Sequence, residues 1–278
     1  MPAMKPSRRL PPIATLDEHR RSVESLRARI SSSPGLAELA MEIERVLRFE
    51  QDHALPGELR FGAAPAPRAR RTALISDIHG NHPGLLAVLE DIEAQACDRI
   101  VCLGDLVDGG PENEEVVETI RRRGIPCVRG NHDQYHDLRL SSTALAFLSG
   151  LPEAIVEEDT LYVHISPRAI SRKINHEVEA WNVFDETDYR RVFVGHVHVP
   201  FLFGERSETH GQATRHGFEY CQPLALAADD RFIVSVGAVG YGRDEIGKIR
   251  YAIYDREAGS VEFRAIDGPL LPLDHALR

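Results

Sequence analysis

Three short apolar runs, each ending in a polar turn that contains glycine, restrict the fold of this chain more than any other feature. The runs are TALIS (72–76), RIVCL (99–103) and IPCV (125–128). Segments with helical spacing of apolar residues, 84–96 and 111–123, follow the first two runs. Strands that alternate with helices of about a dozen residues predict parallel βαβ units.

The second half of the chain is richer in strands than in helices. Apolar runs that predict strands lie at 161–165, 190–198, 231–237, 249–255 and 261–266. A pair of mixed sheets flanked by helices accommodates both halves. We therefore expect an α/β fold with two mixed β-sheets between helices.

The first 71 residues differ in kind from the rest, since they carry 13 Lys+Arg against 9 Asp+Glu in a chain of net charge −10. Apolar residues from Leu36 to Leu47 recur at helical spacing and predict one amphipathic helix. The proline-rich stretch 63–71 predicts a linker. We expect residues 1–71 to form a helical extension with a linker, and residues 72–278 to form the main domain. The helix packs on that domain or joins two copies of the chain, and both alternatives remain open.

Composition excludes several classes of protein. No apolar run approaches the roughly 20 residues that span a bilayer, and no apolar segment follows the basic N-terminus as in a signal peptide. The acidic body disfavours binding to nucleic acid, which depends on neutralisation of phosphates by Lys and Arg. Four cysteines without a CxxC pair predict free thiols in a reducing compartment, so we expect a cytoplasmic protein without membrane partners.

Side chains able to bind metals follow five of the apolar runs in order. They are Asp77, His79, Asp105, Asp108, Asn131, His132, Asp133, His164, His196 and His198. Ligand sites gather at the carboxyl ends of strands in open α/β sheets. A single one of these motifs is a weak signal, but five in order are difficult to explain by structure alone. Mixed oxygen and nitrogen donors without thiolate favour Mn, Fe, Ni, Co or Zn over Ca, and their number suits two ions that share one carboxylate.

These motifs resemble a known family. Asp77-Ile-His79-Gly, Gly104-Asp105-Leu-Val-Asp108-Gly, Gly130-Asn131-His132-Asp133, His164 and Gly195-His196-Val-His198 are similar to the five ordered motifs of the calcineurin-like metallophosphoesterase superfamily. DIHGN and the compact length are closest to the small bacterial and archaeal phosphoesterases. The resemblance covers roughly residues 72–255 and implies a four-layer α/β/β/α fold.

The resemblance also implies a role for each site residue. Asp77, His79, Asp105 and His198 would hold one divalent ion, and Asp105, Asn131, His164 and His196 would hold the other. Asp105 would bridge the two ions, for which manganese is favoured. In-line attack by a metal-bridging hydroxide would cleave a phosphomonoester or phosphodiester. His132 would be the general acid, and Asp108 would hold its other ring nitrogen.

Some positions depart from the family's pattern. Ile165 stands where the fourth motif usually has glycine, and Gly109 stands where protein phosphatases of the superfamily carry a phosphate-binding arginine. The segment 235–244 matches the closing glycine-rich segment imperfectly. Arg168, Arg172 and Arg243 are candidates for contact with phosphate, although an ordinary surface charge is the preferred interpretation of each.

Two functions from different classes follow. The preferred one is a phosphoesterase that acts on small, nucleotide-like phosphoesters. The alternative is an interaction module on the same fold that holds little metal. A third hypothesis, a regulatory enzyme whose N-terminal helix controls access to the site, depends on that helix alone. The complete set of ligand types favours the enzyme.

Overall fold

The computed structural model describes residues 61–62, 69–134, 140–168, 173–243 and 247–271. The chain divides into two compact units, Met1–Ala54 and Leu55–Arg278, and all described residues belong to the second. The helix predicted between Leu36 and Leu47 lies outside the described residues. Its existence, its place in an extension that ends at residue 71, and its role in joining two copies of the chain stay predictions.

Twelve strands are described in the second unit. In chain order they are β1 (Phe61–Gly62), β2 (Arg71–Ile75), β3 (Arg99–Cys102), β4 (Ala154–Glu157), β5 (Thr160–Val163), β6 (Arg191–Val194), β7 (Phe201–Gly204), β8 (Thr214–His216), β9 (Pro223–Ala225), β10 (Phe232–Ser235), β11 (Lys248–Asp255) and β12 (Ser260–Asp267). They form a seven-stranded sheet in the order β1-β4-β5-β6-β10-β7-β8 and a five-stranded sheet in the order β3-β2-β11-β12-β9. Both sheets mix parallel and antiparallel pairs, as the sequence predicts.

Four α-helices accompany the sheets in the described ranges: α1 (His82–Ala94), α2 (Asn113–Arg122), α3 (Ser142–Gly150) and α4 (Glu177–Glu186). The Asn81 side chain caps α1 by accepting a hydrogen bond from the Gly84 amide at 3.0 Å, which satisfies one of the free amides of the first turn. Glutamates at the start of α2 and arginines at its end complement the helix dipole. No described helix combines the length and the apolar character that a membrane crossing requires.

Three apolar clusters separate four layers. Alternate residues of β2 point to opposite faces, so Ala73 and Ile75 pack against α1 and α2 while Leu74 packs against the other sheet. The central cluster, which includes Phe193 and Phe263, fills the space between the sheets. The third cluster packs α4 on the outer face of the larger sheet. The α/β/β/α arrangement that the resemblance implies is confirmed.

The local structure differs from the sequence expectation in three places. The run 125–128 forms only an isolated parallel bridge between Cys102 and Cys127, because Pro126 has no amide to donate to a ladder. Helices α3 and α4 form in a half that the sequence predicts to be strand-rich. Phe61 and Gly62, from the predicted extension, pair with Ala154 and Ile155 at the edge of the larger sheet.

Candidate functional site

Loops that follow the parallel strands of both sheets meet at one edge of the sandwich. Asp77 and His79 follow β2, and Asp105 and Asp108 follow β3, which is parallel to β2. The first two loops are joined by backbone hydrogen bonds from the amides of Ile78 and His79 to the Asp105 carbonyl, at 2.8 and 3.0 Å. The remaining predicted residues, Asn131, His132, His164, His196 and His198, come to the same edge from the loops after Cys127, β5 and β6.

The backbone of these loops is held in an unusual conformation. Among the described residues, nine that are not glycine have a positive φ, and six of these nine belong to the site: Asp77, His79, Asp105, Asp108, His196 and His198. This conformation costs free energy for a residue with a Cβ, and it persists only where the surroundings enforce it. The strain is therefore concentrated where side chains turn inward together.

The first group of converging atoms comes from Asp77, His79 and His198, which are at most 2% exposed. The Nε2 atoms of the two histidines lie 3.2 Å apart. Asp77 Oδ1 lies 3.3 Å from His198 Nε2 and 4.0 Å from His79 Nε2. Three potential ligand atoms thus face one point in a region closed to solvent.

The second group comes from Asp105, Asn131, His164 and His196. Asn131 Oδ1 lies 3.1 Å from His164 Nε2 and 2.9 Å from His196 Nδ1. Asp105 Oδ2 lies 3.1 Å from the same His164 atom and 3.7 Å from His79 Nε2 in the first group. Asp105 is therefore the carboxylate that faces both groups.

The hydrogen-bond partners of His79 and His198 indicate that the first group suits a cation. His79 Nδ1 lies 2.8 Å from the Asp108 carbonyl, and His198 Nδ1 lies 3.0 Å from the Tyr241 carbonyl. A carbonyl accepts only, so each Nδ1 carries the proton and each Nε2 presents a lone pair. Two lone pairs at 3.2 Å repel each other unless a cation lies between them. The donor set therefore fits metal binding.

The second group also suits a cation. His164 Nδ1 lies 2.6 Å from the Leu103 carbonyl and carries a proton, while His164 Nε2 faces two acceptor oxygens and holds a second proton or, once that proton is lost, offers its lone pair to a metal ion. Burial alone would lower the pKa of His164, but the Asp105 carboxylate raises it to about 10. A proton or a metal ion at this position would neutralise the same carboxylate. The buried Asn131 Nδ2 has no hydrogen-bond partner among the described residues.

Burial and charge set the ionisation of the other groups. Burial lowers the pKa of His79 to about 4 and that of His196 to about 3, so both imidazoles are neutral and able to bind metal at pH 7. Burial alone would raise the pKa of Asp77, but His198 lowers it to about 2. Against the same effect of burial, the His164 imidazole holds the pKa of Asp105 well below its usual range.

His132 and Asp108 form a separate pair at the rim. His132 Nδ1 lies 2.7 Å from Asp108 Oδ2, and the two side chains are 28% and 58% exposed. The hydrogen bond to His132 lowers the pKa of Asp108. Burial alone would lower the pKa of His132, but the carboxylates of Asp108 and Asp105 raise it. The His132 ring meets the His79 ring edge to face at 4.9 Å, so the pair adjoins the buried groups.

Two residues that the sequence did not single out for a role support the site. Asp133 is 5% exposed and accepts hydrogen bonds from the amides of Asp105, Leu106 and Gly130 at 2.8 to 2.9 Å. It thereby joins the second and third loops. The Tyr241 ring lies 4.4 Å from the His198 ring, and the Tyr241 carbonyl accepts a hydrogen bond from His198 Nδ1. The presence of Asp133 in the third motif was a sequence signal for its role in joining the loops. The sequence contained no comparable signal for the contact between Tyr241 and His198.

The structure also describes most of the positions that depart from the family's pattern. A Cβ at position 109 would lie 2.8 Å from His79 Cβ, so Gly109 leaves no room for a side chain. Ile165, beside His164, is buried and 4% exposed. Residues 235–243 of the glycine-rich segment run along the first loop, where the amides of Val239 and Gly240 donate to the carbonyls of Ser76 and Asp77.

The three arginines that are candidates for contact with phosphate differ in their surroundings. Arg168 is bound by Glu179 and Glu186 in an ion-pair network on α4, at 2.7 Å from each. Arg172 lies outside the described residues. Arg243 is exposed and lies beside the site, where its amide donates to the His198 carbonyl at 3.4 Å.

Comparison with known proteins identifies the family. The family model described as calcineurin-like phosphoesterase matches residues 70–200. An uncharacterised protein of Methanocaldococcus jannaschii is 31% identical over 229 residues, which are 70% of this chain and 86% of that protein. A metallophosphoesterase from Sphaerobacter thermophilus, known from its crystal structure, is 32% identical with a TM-score of 0.64, over 72% of this chain and 89% of that one.

A more local similarity concerns an enzyme of defined activity. A symmetrical bis(5'-nucleosyl)-tetraphosphatase of Cronobacter sakazakii is 40% identical over 65 residues, which are 22% of this chain and 23% of that protein. The residues matched by the family model include the strands and loops that carry the Asp/His groups. The chain therefore belongs to the calcineurin-like phosphoesterases, and it is a metal-dependent phosphoesterase.

Proposed function

We propose that this enzyme hydrolyses small, nucleotide-like phosphoesters at a centre of two divalent ions. The observation that carries the proposal is the convergence of histidine ring nitrogens and carboxylate oxygens on two points that share Asp105. Asp77, His79, Asp105 and His198 would hold one ion, and Asp105, Asn131, His164 and His196 the other. Mixed oxygen and nitrogen donors favour manganese, iron, nickel, cobalt or zinc, and we propose manganese.

Two divalent ions bound here would supply Lewis acidity, neutralising phosphate charge and making water a stronger nucleophile at neutral pH. The chain's own contribution to the centre is rigidity. The carbonyls of Leu103, Asp108 and Tyr241 hold the ring nitrogens opposite to the ligand atoms. The imidazoles are thereby fixed in tautomer and orientation before any ligand binds.

His132 is proposed as the general acid. Asp108 holds His132 Nδ1 and orients the ring, and Nε2 would donate its proton to the leaving oxygen as the bond from phosphorus to that oxygen breaks. The amide of His132 donates to Asp105 Oδ1 at 2.9 Å, so the acid is anchored to the carboxylate shared by both groups. Because the His132 side chain is 28% exposed, it exchanges its proton with solvent between turnovers.

The substrate class is inferred from the local relative. The relative from Cronobacter sakazakii is named for hydrolysis of a dinucleoside tetraphosphate, and it is 40% identical over 65 residues. This similarity favours nucleotide-like substrates, with dinucleoside polyphosphates ahead of cyclic nucleotides and mononucleotides.

The test is an activity assay on the full chain, freed of metal by chelation and then reloaded with one ion at a time. We expect hydrolysis of p-nitrophenyl phosphate or its bis-ester that depends on the added ion, with two ions per chain by elemental analysis. An absence of turnover with every ion would contradict the proposal and favour the interaction module.

A further inference from the structure

Arginines near the site differ in whether a carboxylate neutralises them. Arg129, in the third loop, is paired with the buried Glu153. Arg168 is held by two glutamates. Arg243 is exposed, and within the described residues no carboxylate lies at ion-pair distance from it. Within the described ranges it is therefore an exposed cation beside the centre that no carboxylate neutralises.

The position of Arg243 is set by the same segment that holds the centre. Its guanidinium carbon lies 5.9 Å from the centroid of the Tyr241 ring. That ring in turn lies 4.4 Å from the ring of His198 and 5.2 Å from that of His79. Tyr241 is 7% exposed, so it forms a fixed support. The Arg243 amide also donates to the His198 carbonyl at 3.4 Å, so the exposed guanidinium lies beside the loop that carries His198.

This position suits a phosphate next to the one that reacts. Gly109 leaves no room for a side chain over His79, so the second loop cannot supply a cation there. A polyphosphate carries negative charge on each phosphate, and the one outside the centre needs its own partner. Arginine recognises phosphate through two parallel hydrogen bonds, which gives both energy and direction.

We propose that Arg243 binds the phosphate adjacent to the scissile one, and that it makes this enzyme prefer polyphosphorylated nucleotides to simple phosphomonoesters. The inference rests on the proposed function, because it needs the scissile phosphate at the Asp105 centre. It assigns a specificity-determining residue and a substrate class to that site.

The experiment compares diadenosine tetraphosphate with p-nitrophenyl phosphate on the metal-loaded enzyme. In Arg243→Ala, the ratio of kcat/KM for the first substrate to that for the second falls about 10- to 100-fold, because a hydrogen bond to a charged group is lost. Arg243→Lys recovers part of the ratio, since it keeps the charge without the paired geometry. Arg123→Ala, which removes an exposed arginine at the end of α2, leaves the ratio unchanged.

Elemental analysis of Arg243→Ala should show the metal content of the parent, which separates a binding role from damage to the centre. An unchanged ratio, or an equal loss on both substrates, would overturn the inference. If the parent enzyme cleaves p-nitrophenyl phosphate but not diadenosine tetraphosphate, the inference fails while the proposed function stands. If it cleaves neither substrate with any ion, the proposed function itself fails.

Discussion

The site contains two neighbouring arrangements of histidine and carboxylate that differ in exposure. In the first, the buried groups, His196 is partly buried and the other six residues are at most 2% exposed: Asp77, His79, Asp105, Asn131, His164 and His198. In the second, the rim pair, His132 and Asp108 are 28% and 58% exposed. The buried groups set lone pairs against each other, whereas the rim pair sets a donor against an acceptor.

This difference separates two chemical tasks within one site. A lone pair that faces another lone pair inside a protein is stabilised by a cation, so the buried groups suit metal binding. The rim pair is already satisfied by its own hydrogen bond and is open to water, so it suits proton transfer. Substitutions in the two arrangements should therefore have separable effects.

The largest effect is expected from Asp105→Asn, which removes the charge that both buried groups share. The facing imidazoles lose their common carboxylate, so both ions should be lost together with activity, by more than the roughly 10⁴-fold upper range of acid catalysis. The measurements are elemental analysis and p-nitrophenyl phosphate turnover. Asp230→Asn is the matched control, because Asp230 is also buried but lies on a different loop. There it accepts hydrogen bonds from the backbone amides of Arg206 and Arg231. Near-normal metal content in Asp105→Asn would show that the shared carboxylate is not required.

His132→Gln should break the rim pair and leave the buried groups intact. We expect normal metal content with turnover slower by roughly 10² to 10⁴, and a larger loss for substrates with poor leaving groups, which need a proton more. The comparison of phenyl phosphate with p-nitrophenyl phosphate measures this dependence. His82→Gln is the control, since His82 lies half-buried on α1 and contacts Thr119 at 3.0 Å. Equal losses for both leaving groups would contradict the acid role.

The sequence predicted where the residues of both arrangements lie better than it predicted what each arrangement does. The two mixed sheets and the strands that carry the ligands follow from short apolar runs, as in β2, where Ala73 and Leu74 are both buried on opposite faces. The strand-end rule then brings Asp77, His79 and Asp105 to one edge. The division of roles between the arrangements came from the family resemblance, and the residues alone did not supply it.

The remaining features depend on long-range contacts that a sequence pattern does not contain. The role of Tyr241 arises because its carbonyl meets His198, 43 positions earlier in the chain. The short run 125–128 has the composition of a strand, yet Pro126 cannot donate and only Cys127 pairs. The weakly amphipathic helix α3 begins where the Ser141 side chain accepts from the Ala144 amide, a cap that competes with other local turns in the sequence.

Asp133→Asn tests the connection between the two arrangements. Asp133 holds the amides of Asp105 and Gly130, and Gly130 stands directly before Asn131 and His132. An amide oxygen in place of one carboxylate oxygen loses an acceptor, so the loops that carry both arrangements should loosen. Metal affinity should fall about 10- to 100-fold, the usual effect of losing a residue that orients metal ligands. Titration of the metal-free protein with metal measures this affinity. The control is Asp98→Asn, because the exposed Asp98 carboxylate also accepts a hydrogen bond from a backbone amide, that of Arg71 at the start of β2. Unchanged affinity would limit Asp133 to a role in folding.

The smallest effect on catalysis is expected from Asp108→Asn, because the Asp108 side chain is largely exposed to solvent. The Asp108 carboxylate orients His132 through a 2.7 Å hydrogen bond, but it is 58% exposed. Exposed charge pairs contribute little free energy because water screens them, and the Asn oxygen can still accept from Nδ1. We therefore expect about a 10-fold fall in kcat for poor leaving groups, well below the loss in His132→Gln. Metal content should be normal, since the Asp108 carbonyl that fixes His79 belongs to the backbone. A loss as large as that of His132→Gln would mean that Asp108 takes part in the reaction directly and does more than orient the acid.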